Sequence, residues 1–165
     1  MKYLVTPSGY NGRADLSIKN DQSQEIFRTK AGNLFSSYTL RDVSGNELAA
    51  LQQKTPLWGL SFEVFKDNKS YAFIKKKPFV FFRDVFIIEV KDLETLIVEG
   101  DYGYLKYKFY RAGKLIAVSS RKRHVPQNNY TVDIVEQEDD VLILACTIMF
   151  YWDVIDGLGR VQGSV

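Results

Sequence analysis

One stretch near the C-terminus constrains the fold of this chain more than any other. Residues 141–152 carry no charge, and all of them except Thr147 are apolar or aromatic. They follow Asp139 and Asp140, and acids are favoured at a helix start, where free amides and the helix dipole attract negative charge. The run is also longer than the usual strand of about 5–6 residues. The pattern predicts a helix over about residues 139–155 that is apolar on every side and therefore buried.

Two alternatives remain for this stretch. A transmembrane helix is disfavoured, because the run would cover only about 18 Å of a hydrocarbon core of about 30 Å. A fully buried strand is the second alternative, since periodicity alone does not assign a short apolar run. Cys146 lies inside the stretch and is the single cysteine of the chain. It therefore cannot form an internal disulfide, and we expect it to pack as a small hydrophobe.

The preceding residues repeat one unit, which is a short strand, a polar turn and a second strand. Residues 60–65 show the alternation of period two that is typical of a strand, and a polar turn at 66–69 follows them. The predicted hairpins cover residues 15–29, 37–53, 60–75, 84–99 and 104–119, and a single strand at 130–134 follows them. This gives about eleven strands at the regular spacing of a sandwich or barrel.

A flat sheet of this many strands would expose its edges and one apolar face, so closure is favoured. A barrel of this width needs more than its own side chains to fill it. The predicted helix is the segment with the right character for that position. The fold class is therefore predicted to be mainly β, with a closed antiparallel β-barrel of hairpin repeats that encloses a hydrophobic C-terminal helix.

The length of 165 residues is that of a single domain. We assign residues 1–156 to one barrel domain and residues 157–165 to a flexible C-terminal tail. The glycines of this tail lack the preceding strand and following helix of a dinucleotide-binding loop. The first six residues lack the pattern of a secretory signal, so a cytoplasmic protein is expected.

The order of these elements and several short motifs resemble the LURP-one-related family. The motifs are LSIKN (16–20), IF (26–27), GNELA (45–49), FVFFRDVF (79–86), VEGD (98–101), RAGK (111–114), VDI (132–134) and EDDVLILA (138–145). The similarity covers about residues 13–156. The fold of this family is similar to the C-terminal domain of tubby-like proteins and to phospholipid scramblases. The resemblance implies a twelve-stranded closed barrel around a helix, with an additional strand within residues 2–6. Tubby-like relatives bind phosphoinositides, so the resemblance also implies anionic lipid head groups as candidate ligands.

Residue types that carry catalysis are sparse. His124, the sole histidine, directly follows three cations, which disfavour its protonation, and no carboxylate is near it in sequence. The chain contains no Gly-x-Ser-x-Gly elbow, no phosphate-binding loop and no Cys/His set for zinc. We therefore expect a non-enzymatic protein with no cofactor and no bound metal, acting as a binding or scaffold module.

One carboxylate cluster leaves an alternative function open. Glu136, Glu138, Asp139 and Asp140 supply the type of oxygen ligand that Ca²⁺ prefers, and the same acids also suit the start of the helix. The alternative is an unrecognised enzyme or a metal-dependent protein with its site near residues 136–140.

Two basic clusters are the candidate site for an anionic ligand. Each directly follows the returning strand of a hairpin, so both are expected at one end of the barrel. The clusters consist of Lys75, Lys76 and Lys77, and of Arg121, Lys122 and Arg123. The near-neutral net charge of +2 argues against nucleic acid as the partner.

Aromatic residues next to the first cluster suggest a membrane surface as the partner. Phe79, Phe81 and Phe82 would place apolar anchors beside cations, a combination that suits anionic lipid. The alternative is that the lysines protect strand edges while the phenylalanines alternate into the core. A further, structural hypothesis places Trp58, Tyr104 or Tyr107 on an oligomer or partner surface, although strand alternation favours burial for some of them. The sequence identifies neither a protein partner nor an oligomeric state.

Overall fold

In a computed structural model, twelve antiparallel strands close into a barrel. The structure describes residues 1–8, 15–32, 37–54, 61–78, 80–101, 106–121, 129–135 and 139–150. The strands are β1 (Lys2–Pro7), β2 (Leu16–Lys19), β3 (Glu25–Ala31), β4 (Ser37–Asp42), β5 (Glu47–Lys54), β6 (Ser61–Lys66), β7 (Lys69–Lys76), β8 (Asp84–Val90), β9 (Leu96–Gly100), β10 (Lys106–Arg111), β11 (Lys114–Arg121) and β12 (Tyr130–Ile134). Each strand pairs with its neighbours in sequence, and β1 pairs with β12 to close the ring. The predicted closed antiparallel barrel is confirmed.

The five predicted hairpins and the additional N-terminal strand are all present. Two of the hairpins turn through only two residues with positive φ, which are Asp67 and Asn68 (φ 50° and 59°) and Ala112 and Gly113 (φ 47° and 77°). Paired positive φ values give a turn whose twist matches that of the flanking strands. Two-residue turns therefore connect β6 directly to β7 and β10 directly to β11.

The two ends of the barrel differ. At one end, which we call the turn end, lie the hairpin turns at 20–24, 43–46, 67–68, 91–95 and 112–113. At the other end, which we call the loop end, the odd-numbered strands β3 to β11 terminate. Because β12 finishes at the turn end, the helix that follows enters the barrel there.

The helix, α1, covers residues 140–150 as far as the structure describes it. All nine residues from 142 to 150 are at most 1% exposed. Successive helical residues point in directions about 100° apart, so burial of nine in a row requires protein on every side. The buried helix is confirmed and the buried-strand alternative is wrong. The predicted end of the helix near 155 and the tail at 157–165 lie outside the described residues.

Alternate residues of the strands form the inner wall that packs around α1. The ring of Phe150 stacks on Tyr107 of β10, with centroids 4.1 Å apart and ring planes 14° apart. Phe86 of β8 contacts the same ring at 4.8 Å. Thr147, the one polar residue of the buried run, donates its hydroxyl hydrogen to the Ile143 carbonyl at 3.0 Å, which satisfies it inside the helix. No helix among the residues described is both long enough and apolar enough to cross a bilayer.

Candidate functional site

Asp139 holds the start of α1 and connects it to the barrel wall. Its Oδ1 accepts a hydrogen bond from the Leu142 amide at 3.0 Å, which is the geometry of an N-cap residue. Its Oδ2 accepts hydrogen bonds from Lys66 Nζ at 2.5 Å and from the Tyr71 hydroxyl. Both of its oxygens are therefore occupied by contacts that fix the helix in place.

A β-bulge brings Tyr71 to this position. Val64 pairs with Ala72 and Phe65 pairs with Ser70, so Tyr71 is the extra residue of β7. Three other hairpins carry a bulge at the matching place, and their extra residues are the aliphatic Ile26, Leu48 and Ile116. A bulge redirects a side chain, and here Tyr71 packs against the core while its hydroxyl reaches the helix cap.

Asp140 makes a second contact of this kind. Its Oδ2 accepts a hydrogen bond from the Tyr3 hydroxyl at 2.7 Å, so β1 is also connected to the first turn of α1. Burial and the nearby Asp140 carboxylate raise the pKa of Tyr3. Burial and the hydrogen bond to Asp139 likewise raise the pKa of Tyr71, to about 12. Both tyrosines therefore remain protonated donors at neutral pH.

The charged state of Asp139 is stabilised despite its partial burial. Burial opposes its ionisation, but hydrogen bonds from Lys66, Tyr71 and the Leu142 amide outweigh that effect and lower the pKa of its carboxyl. Asp139 therefore acts as the cap of a buried helix. In the part of the chain that the structure describes, no three His, Cys, Asp or Glu residues are grouped to hold a metal ion. Glu136 and Glu138 lie outside that part.

The lowered pKa of Asp139 predicts an acid-dependent loss of stability. A carboxyl with a depressed folded-state pKa contributes stability that is fully present above its unfolded value of about 3.9 and is lost as the pH falls through the folded value. Asp139→Asn keeps a capping oxygen but removes the charge. We expect the stability difference between wild type and Asp139→Asn to be largest near neutral pH and to shrink below about pH 4. Urea unfolding across this range measures it, and a difference that does not change with pH contradicts the assignment.

The basic clusters predicted as a ligand site lie partly within the described structure. The first cluster ends β7 and Arg121 ends β11, so both are at the loop end. They are four strands apart, which is about 19 Å along the wall at about 4.8 Å per strand. Lys122, Arg123 and the neighbouring His124 lie outside the described residues.

The lysines of the first cluster differ in their contacts. Lys75 Nζ is 3.4 Å from Glu89, and Lys76 Nζ is 2.9 Å from Asp84. Lys77 is exposed, and it forms no ion pair with any residue that the structure describes. The first cluster is therefore partly neutralised by its neighbours, which sequence spacing did not indicate.

Two of the aromatic residues beside this cluster, Phe81 and Phe82, do not enter the core. Phe81 is 78% exposed and Phe82 is 84% exposed. Phe82 also has a φ of 71°, a left-handed conformation that a non-glycine residue adopts only at an energetic cost. The alternative that the phenylalanines alternate into the core is wrong for these two residues. Phe79 lies outside the described residues.

Of the residues proposed for an oligomer surface, the one that the structure describes is buried. Tyr107 is 1% exposed because its side chain points into the barrel and stacks on Phe150. It is therefore a core residue, as the strand alternation favoured. Trp58 and Tyr104 lie outside the described residues.

A shallow cleft of about 550 Å³ on the outer wall was not predicted from the sequence. It lies along β7 and β8 toward the turn end, and Lys69, Phe73, Glu89 and Lys91 are among its lining residues. Residues of two paired strands form it together, and no single-strand pattern encodes such a surface.

Comparison with known proteins agrees with this architecture. The sequence model of the LURP-one-related family matches residues 3–151. An X-ray structure of a protein from Arabidopsis thaliana is similar in fold, with a TM-score of 0.67 at 16% sequence identity, and the match covers 93% of this chain and 91% of that chain. A search of curated proteins finds no match. The family match spans most of the chain and includes both the strands and the described helix, so this chain belongs to the LURP-one-related family.

Proposed function

We propose that this protein is a non-enzymatic, cytoplasmic binding module that docks the loop end of its barrel on an anionic membrane surface. The observation that supports this most directly is the exposure of Phe81 and Phe82 beside basic residues. Large apolar side chains that stay in water lose the free energy of burial, about 1.5–3 kcal/mol for a phenylalanine. Two adjacent ones therefore favour a partner that covers them.

The shape of this segment favours a bilayer over a small molecule. Phe81 and Phe82 are almost fully exposed, so they form a projection and not a concave pocket of the kind that binds small ligands. A bilayer interface accepts such a projection, because apolar rings enter the acyl boundary while neighbouring cations remain among the head groups.

The cations needed for this arrangement are close to the aromatic pair. Lys77 stands at the base of the segment, where its amide donates to the Val85 carbonyl at 2.7 Å. Arg83 follows Phe82 directly, and its Nη1 is 3.4 Å from Glu99 in an exposed ion pair. Exposed ion pairs of this kind contribute little, so Arg83 and Lys75 can exchange their carboxylate partners for lipid phosphates at a small energetic cost.

The proposed contact surface comprises both predicted clusters. Arg121 ends β11 at the same end of the barrel as the first cluster. Lys122 and Arg123 follow it in sequence and would extend the positive surface. The proposed ligand-binding residues are therefore Lys75, Lys76, Lys77, Arg121, Lys122 and Arg123, with Phe81 and Phe82 as apolar anchors.

Vesicle sedimentation tests this function directly. We expect the protein to bind phosphatidylcholine vesicles that contain phosphatidylserine or a phosphoinositide, and to bind vesicles of phosphatidylcholine alone much less. Added salt should weaken binding, because it screens the attraction between surface cations and lipid. Absence of binding to anionic vesicles at low salt would contradict the proposal.

A pair of matched variants locates the contact. Phe81→Ser with Phe82→Ser removes the apolar anchors, and we expect at least about tenfold weaker vesicle binding. Val43→Ser with Leu93→Ser makes the same kind of change at the turn end, where these side chains are 60% and 54% exposed, and should leave binding unchanged. Equal losses in the two variants would contradict docking through the loop end.

A further inference from the structure

The outer wall of β10, β11 and β12 carries two parallel rows of side chains. The first row is aromatic and aliphatic: Tyr110 of β10 pairs with Leu115 of β11, and Val135 directly follows β12. The Val135 amide donates to the Ile116 carbonyl at 2.7 Å, which places it beside this pair. Leu115 is 36% exposed and Val135 is 63% exposed. Exposed apolar side chains that are contiguous on an outer wall favour a partner that covers them.

The second row lies one step toward the loop end and alternates in charge. Lys108 on β10 pairs with Val118 on β11, and Val118 pairs with Asp133 on β12. The row therefore reads positive, apolar, negative across three neighbouring strands. Lys108 is exposed, and it forms no ion pair with any residue in the described part of the chain. Asp133 contacts only the exposed Lys2 among described cations, at 3.5 Å.

We propose that this wall is the contact surface for a second copy of the chain in a two-fold symmetric dimer. The two-fold axis of such a dimer lies in the interface, and the same patch meets itself on the other copy. An axis that runs along β11 reverses the order of both rows. Lys108 then faces Asp133 of the second copy, Val118 faces its own equivalent, and Tyr110 faces Val135 of the second copy.

The opposite charges of Lys108 and Asp133 on the two sides of β11 favour an axis along this strand over an axis across the strands. An axis across the strands would place Lys108 opposite the same lysine of the second copy, and Asp133 opposite the same aspartate. Like charges placed opposite each other destabilise an interface, and opposite charges fix its register. With the axis along β11, each dimer contains two Lys108–Asp133 contacts. Leu115 also meets its own equivalent in the apolar row.

The residues on either side of the rows are compatible with this contact. Toward the loop end, Lys106 pairs with Ser120, which pairs with Thr131, so Lys106 would face a hydroxyl. Toward the turn end, Lys114 lies beyond the apolar row, is exposed, and already interacts within its own chain. Lys114 is adjacent to Leu115 on β11, so strand alternation directs it to the opposite face of the sheet, away from this contact.

The outer wall of a closed barrel is convex across its strands, and this curvature limits the strength of the dimer. A stable interface buries about 800 Å² on each partner, and two convex walls that meet over three strands bury less. We therefore expect a weak dimer in rapid exchange with the monomer, whose specificity comes from the two charge contacts.

The axis direction has a consequence for the membrane model. Rotation about an axis along the strands keeps the direction of each strand, so both loop ends point to the same side of the dimer. Two weak membrane contacts would then act together. This consequence rests on the proposed function, whereas the dimer itself does not.

Charge reversal tests the dimer in solution without lipid. Sedimentation velocity over a concentration series should show reversible dimerisation of the wild-type chain. Lys108→Glu and Asp133→Lys should each lower the association constant at least tenfold. The double variant Lys108→Glu with Asp133→Lys restores opposite charges across the axis and should bring the association constant back to near the wild-type value.

Lys30→Glu is the matched control, because it reverses an exposed lysine on β3, which is not part of this wall. It should leave the association constant unchanged. A monomer at all accessible concentrations, a loss in the control equal to that of Lys108→Glu, or failure of the double variant to recover would each overturn the proposal. Because no lipid is present, these outcomes are independent of the vesicle experiment.

Discussion

Replacing Phe150 by alanine is expected to lower the free energy of unfolding by about 3–5 kcal/mol. The Phe150 ring lies where the helix meets the inner wall. It contacts Phe86 of β8 and both Tyr107 and Phe109 of β10. All four rings are at most 1% exposed. Removing the central ring leaves a cavity that the closed wall cannot fill without distorting its strand pairing.

The same substitution at Phe81 is a control for this prediction. Phe81 is 78% exposed, so Phe81→Ala removes no packed ring and should change stability by less than about 0.5 kcal/mol. Urea unfolding monitored by circular dichroism gives both values. Similar effects at the two positions would contradict the placement of α1 inside the barrel.

Gly100→Ala is expected to destabilise the barrel by about 2–3 kcal/mol through overpacking. A Cβ on Gly100 would lie 2.6 Å from Tyr107 Cε1 and 2.9 Å from Tyr107 Cδ1, on the paired position of β10. The Tyr107 ring cannot move away because it is stacked on Phe150 at 4.1 Å. Strand β9, the Tyr107 ring and helix α1 are therefore packed in contact as three layers. A change in one layer affects the other two.

A double-mutant cycle tests whether Tyr107 is the origin of this effect. In a Tyr107→Leu background the clash is absent, and Gly100→Ala should be close to neutral or slightly stabilising, because alanine has less conformational freedom than glycine in the unfolded chain. If Gly100→Ala destabilised the Tyr107→Leu variant as much as it destabilises the wild type, the cause would be the backbone conformation of Gly100 and not the clash with Tyr107.

Local patterns in the sequence predicted most of the fold. Alternation of period two defines strands whose inner side faces a core, and short polar turns define where they reverse, so the five hairpins were predictable without knowledge of their partners. The helix was predictable from the length of an uncharged run behind Asp139 and Asp140. Its position inside the barrel followed because an element that is apolar on every side must be covered on every side.

Contacts between distant residues were not predictable in this way. Lys66 and Tyr71 precede Asp139 by 73 and 68 residues, and no periodicity relates them to the helix cap. The bulge that directs Tyr71 to this contact is a property of paired strands and is not visible in either strand alone.

The candidate site was predictable only in part. The equivalent places of Lys75 and Arg121 in their hairpins predicted that they share one end of the barrel, because all odd-numbered strands from β3 run in the same direction. The ion pairs of the lysines depend on cross-strand register, which single strands do not specify. The sequence left two alternatives for Phe81 and Phe82, exposed anchors or core residues, because their segment has no alternating pattern from which a face could be assigned.

Thiol labelling of Cys146 tests the central claim, that the helix lies inside the closed barrel. Cys146 is the single cysteine of the chain, it is 0% exposed in the middle of α1, and burial raises the pKa of its thiol. An aqueous thiol reagent should therefore react only when the barrel unfolds, and the free energy of exposure from labelling should equal the free energy of unfolding from urea. Complete labelling of the native protein at the rate of an unfolded control, with the barrel's circular dichroism unchanged, would contradict the account.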